Sequence, residues 1–121
     1  MRARSVFGVP VSAREVAAAV VQAMNVVSPR YKRFAACVRF YYPREGGDEV
    51  IDAYYFVKTA DGGAVVAVDW NGRPIAAAQP NAVVAVVRAV FKYAEQKRGE
   101  KPVKVEVYEV PEYIAFPDWF D

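Results

Sequence analysis

Between Arg33 and Tyr42 the apolar side chains fall on every second residue: Phe34, Ala36, Val38, Phe40 and Tyr42 alternate with Arg33, Ala35, Cys37, Arg39 and Tyr41. Successive side chains of a strand point to opposite faces, so this period describes a strand with one buried face. The following residues supply its partners. Val50 to Lys58 is rich in β-branched and aromatic residues, and Ala60-Asp61-Gly62-Gly63 turns the chain into a third strand, Ala64 to Asp69. Asn71-Gly72, within Trp70 to Arg73, suits the positive φ angles of a type I′ turn, which returns Pro74 to Ala78 as a short fourth strand. Pro74 has no amide proton, so that strand belongs at an edge or begins there. Pro43 to Asp48 is a loop.

Two helices flank this meander. Ser12-Ala13-Arg14-Glu15 has capping-box spacing, and Val11 and Val16 stand at the hydrophobic-staple positions. Val16, Val20, Met24 and Val27 line one face, and Ser28-Pro29 ends the helix. The second helix begins near Pro80-Asn81 and runs to Arg98, with Gly99 as its left-handed stop. Its first half is apolar almost all round. Val83, Val84, Val86, Val87, Val90 and Phe91 exceed what one face of a sheet needs, which makes this helix central in the fold or part of an interface. A last strand follows at Val103 to Val107, with Tyr108 to Val110 leading out of it. The expected fold is therefore α+β, in the order α-β-β-β-β-α-β, with a four-stranded antiparallel meander and helices on one face of the sheet.

Residues 1–110 form one domain, as the 121-residue length also requires. Residues 111–121 form a separate tail in which Tyr113, Ile114, Phe116, Trp119 and Phe120 stand among Glu112, Asp118 and Asp121. Rings of this size bury ~150–250 Å² each, so the tail docks on its own domain or on a neighbouring chain. No apolar run is long enough for a spanning helix; the most apolar stretch, Ala82 to Phe91, is broken by Arg88. The basic start, Met1 to Phe7, precedes no long apolar segment, and one cysteine cannot make an internal disulfide. A cytoplasmic protein is the expectation, with no membrane partner.

Charge is divided along the chain: residues 1–44 carry eight basic residues and one acid, a balance of +7, whereas the remainder is −5. Such a division serves a nucleic-acid face or complementary subunit faces, or closes within the fold. For catalysis the inventory is thin. Histidine, the commonest general base and metal ligand, is absent, and the single Cys37 cannot build a zinc site. No glycine-rich phosphate loop occurs, and Ser5, Ser12 and Ser28 have no base near them in sequence. Asp48, Glu49 and Asp52 could hold magnesium, although acids running into a strand more often keep an edge soluble. No cofactor and no enzymatic role are expected.

Two readings remain. Arg30, Tyr31, Lys32, Arg33, Arg39 and Tyr41 combine cations with rings, as a groove for single-stranded nucleic acid does. The helix–strands–helix order also resembles a double-stranded-RNA-binding domain, but the second helix opens Pro80-Asn81-Ala82-Val83, without the lysine cluster those domains set against phosphates. The favoured reading is a non-enzymatic assembly module working as a homo-oligomer, with Val84, Val87, Phe91, Tyr113, Ile114, Phe116, Trp119 and Phe120 as interface candidates. Its partner is itself, or another protein or filament.

The abundance of Val, Ala, Tyr and Arg, the absence of His and the loop prolines resemble proteins of hyperthermophilic archaea. In length and composition the chain is similar to the arcadins, accessory proteins of an archaeal actin. That resemblance implies a cytoskeletal accessory role and no residue assignments. It is also similar in these respects to an archaeal single-stranded-DNA-binding family with an aromatic, basic cleft.

Overall fold

The computed structural model describes residues 4–25, 35–59 and 62–110. They form a mixed α+β fold: β1 (Arg4–Gly8), α1 (Ala13–Asn25), β2 (Ala35–Pro43), β3 (Glu49–Lys58), β4 (Val65–Val68), β5 (Pro74–Ala78), α2 (Val83–Arg98) and β6 (Lys104–Val110). Every strand pairing is antiparallel, and the sheet order is β1-β6-β2-β3-β4-β5.

The capping box at the start of α1 is present in both directions. The Glu15 amide donates to Ser12 Oγ and the Ser12 amide to Glu15 Oε2, each at 3.1 Å. Val16, Val20, Ala23 and Met24 then bury one helical face. The rest of the predicted stop, Val27 to Pro29, lies outside the described residues. A 3₁₀ turn at Pro80–Ala82 leads into α2, and Gly99 ends it at φ 69° with its amide on the Glu95 carbonyl. Both helices pack on one face of the sheet, α1 against β2 and β6 and α2 against β4 and β5, and they touch each other. This explains the wide apolar surface of α2, which is satisfied by a sheet on one side and a helix on the other.

Three details differ from the sequence reading. Arg4–Gly8, read as a basic terminus, is a strand that pairs with β6 from Arg4↔Tyr108 to Gly8↔Lys104. Five residues of mixed character carry no clear period, and the free edge of β6 selects them. β6 also runs on to Val110, paired with β1 as far as Tyr108 and with β2 to its end. The β4–β5 connection is also not a type I′ turn. Among the described residues no non-glycine residue has positive φ, so Asn71 cannot take its required place; of the pair only Gly72 does, at φ 79°. Asp69 and Arg73 close a three-residue loop, and Asp69 Oδ1 accepts the amides of Asn71 and Arg73 at 2.9 Å. The aspartate before the Asn-Gly pair redirects the turn.

Candidate functional site: an apolar cleft at one end of the helix layer

The alternation in β2 puts Phe40 and Tyr42 on the helix side of the sheet, where Phe40 packs edge-on against Phe91 of α2 at 5.5 Å. Towards the end of α2 its surface narrows to Ala94. Val9, Pro10 and Val11, which join β1 to α1, stand across from Lys101 and Pro102, which lead into β6. Between these walls opens a cleft of about 450 Å³. Its floor is Phe40, Tyr42, Ala94 and Val105, and among the described residues its charged lining is Glu95 and Lys101. A cleft this size with a mostly apolar wall and a few polar groups is the form that takes a small ligand or one large side chain.

Behind the floor lies an ion pair between a buried acid and a half-buried arginine. Asp52 of β3, almost inaccessible, accepts both Nε and Nη2 of Arg98 at 2.6 Å in a bidentate pair. Tyr42 and Tyr54 are fully buried, and their hydroxyls have no hydrogen-bond partner among the described residues. Burial, with Asp52 as the next cause, pushes the Tyr42 phenol up to about 12 and raises Tyr54 further.

The opposite face of the sheet carries the described part of the basic and aromatic set. Here Lys104 sits over the Tyr41 ring at 4.1 Å and Arg39 over the Tyr108 ring at 4.7 Å. The buried Glu106 carboxylate accepts from Tyr41 Oη at 2.9 Å and faces the Arg39 guanidinium at 3.8 Å. Cations and ring faces thus already engage one another. Cys37 lies in the same face, and burial raises its thiol, the reverse of what a nucleophilic cysteine needs.

Of the interface candidates, Phe91 lines the cleft, Val84 packs half-buried on the core, and Val87 is fully inside it, so its contacts are made within the chain. Tyr113, Ile114, Phe116, Trp119 and Phe120 lie outside the described residues. So do Arg30, Tyr31, Lys32 and Arg33, which leaves Arg39 and Tyr41 side by side on the sheet. Asp52, considered for magnesium with Asp48 and Glu49, is instead held by Arg98, while Asp48 and Glu49 are exposed. Asp69 is used by its turn and by the Tyr93 hydroxyl at 3.2 Å. None of the buried carboxylates lines the cleft. The sequence reading missed the cleft because its walls come from five separate segments; only the parity of Phe40 and Tyr42 pointed to that side.

No helix among the described residues is long and apolar enough to cross a membrane. No family model matches the sequence, and no curated protein matches it. One solved structure, that of the Pseudomonas avirulence protein AvrPphB, is similar over 88% of this chain and 50% of its own, at 10% identity and a TM-score of 0.49. The chain therefore spans about half the length of that protein, and a likeness of this degree carries no argument about function.

Proposed function

We propose that the chain is a non-enzymatic interaction and assembly module whose cleft between α2 and the β1–α1 connection receives an apolar side chain of a partner polypeptide. The observation that supports it is the cleft itself: open, about 450 Å³ in volume, apolar on its floor and flanked by the opposite charges of Glu95 and Lys101. Apolar anchors seated in such pockets dominate protein interfaces, while charges around them orient the partner. A second copy of the chain is the first partner to test, and the arcadin-like composition would make a filament the next.

Sedimentation over a range of concentrations tests this. The wild type should self-associate, and Ala94→Leu, which adds bulk at the buried floor, and Lys101→Glu, which sets like charge beside Glu95, should each weaken association by roughly tenfold, with circular dichroism checking that each variant keeps the fold. If the wild type stays monomeric yet captures peptides with a Phe or Ile anchor, and Ala94→Leu stops it, the cleft stands and the partner is another protein. Association or capture that both variants leave intact would remove the cleft from the function. The nucleic-acid reading has less support, because the Arg39, Tyr41, Lys104 and Tyr108 side chains are engaged among themselves and with Glu106. Salt-sensitive binding of a single-stranded oligonucleotide, lost on Arg39→Glu, would revive it.

A further inference from the structure

Among the described residues the sheet ends in two edge strands, β1 and β5, and the two differ. A free edge offers unpaired amides and carbonyls to any other strand, and chains that stay apart blunt it with proline, charge or a bulge. β5 is blunted. It begins at Pro74, which has no amide proton, and its pairing shifts register between Ala67 and Val68 of β4. β1 has neither device: Ser5 to Gly8 holds no proline and no charge, and the strand pairs with β6 from Arg4 to Gly8 without a shift.

The edge is also accessible. Gly8, which is backbone alone, is exposed, and no atom lies within 4 Å of a Cβ placed there. Phe7 packs on the core, whereas Val6, on the opposite face beside Glu106, is 55% exposed. The strand is its own complement. A second β1 run antiparallel about a two-fold axis at Val6 sets Val6 against Val6, Ser5 against Phe7 and Gly8 against Arg4, so each valine covers the other. The single charged residue of the strand then stands opposite a glycine; a parallel pairing would set it opposite its own copy. An isologous contact of this kind closes at two copies.

We infer that β1 is a dimerisation edge, on which a second copy of this chain docks by antiparallel pairing of the two β1 strands about Val6, joining two six-stranded sheets into one. Main-chain hydrogen bonds supply the attraction, and the facing valines fix the register. The contact is separate from the cleft and does not depend on what the cleft receives.

A cysteine on the two-fold axis meets its own copy, which makes Val6→Cys a probe of this register. In the full chain, whose own Cys37 is buried, mild oxidation should join two Val6→Cys copies roughly tenfold faster than two copies of Val21→Cys, another exposed valine, on α1. Equal rates overturn the inference. By sedimentation the wild type should dimerise, and Val6→Lys, which sets two ammonium groups against each other, should weaken the dimer by roughly tenfold with an unchanged circular dichroism spectrum. A wild type that stays monomeric, or a dimer that Val6→Lys leaves intact, rejects pairing at β1. Adding Ala94→Leu or Lys101→Glu to Val6→Cys separates the two surfaces. The cross-linking rate should not change; a fall to the Val21→Cys rate would place the contact at the cleft and overturn the edge.

Discussion

Asp52 shows how far a single position depends on its surroundings. Its carboxylate is buried beneath α2, and Arg98 is what makes that burial tolerable. Removing Arg98 strands the buried Asp52 charge, so Arg98→Met should cost about 3 kcal/mol in urea unfolding, several times the cost of Arg44→Met in the exposed Arg44–Glu100 pair. The sequence offered Asp52 as a magnesium ligand or as an acid keeping an edge soluble; it could not show that a residue 46 positions later meets it on the helix face. Tyr42 makes the opposite point. A buried hydroxyl without a partner destabilises, so Tyr42→Phe should raise stability by about 1 kcal/mol at pH 7. The phenol also adds a pH dependence of known sign. Its folded value of about 12 lies above the ordinary 10, so the folded state holds the proton more tightly. The resulting stability is complete below pH 10 and is lost as pH rises towards 12. Urea midpoints from pH 8 to 11.5 should fall less steeply above pH 10 in Tyr42→Phe than in wild type, and parallel curves would reject the assignment.

The two helices form where local rules and packing agree. Ser12→Ala removes one side of a reciprocal cap and should cost about 1 kcal/mol, a fall in melting temperature of a few degrees for a chain of this length. Gly99→Ala should cost about as much for a different reason. No atom lies within 4 Å of a Cβ placed there, so the penalty comes from the left-handed backbone at φ 69° alone. Calorimetry on each variant checks the two losses. Both positions were legible in the sequence because a cap is read over three or four residues. The β4–β5 turn was less so: Asn71-Gly72 signalled a hairpin, but the Asp69 side chain competed for the same amides and lengthened the loop.

The outermost strand, β1, joins the start of the chain to its last strand, with Arg4 opposite Tyr108. Deleting residues 1–8 should leave β6 as an open edge, lower stability by several kcal/mol and cause aggregation visible by light scattering. A deletion variant that stays soluble with an unchanged urea midpoint would show that β6 does not need its cover. Closure also disposes of part of the charge division. The first-third cations Arg39 and Arg44 face Glu106 and Glu100, so charges far apart in sequence meet in space. Because these pairs involve exposed arginines, 1 M salt should change stability by less than about 1 kcal/mol.

Strand periods, helix caps and turn glycines act over two to five residues. The sequence by itself therefore determined the helices, the meander from β2 to β5, the α+β class and the parity that assigns Phe40 and Tyr42 to one face and Arg39 and Tyr41 to the other. Only the tertiary structure decided that Arg4–Gly8 is a strand, that Asp52 meets Arg98, and that five segments leave a cleft above Tyr42. Each of these depends on which surface is left uncovered once distant segments have packed, and no window of neighbouring residues contains that information.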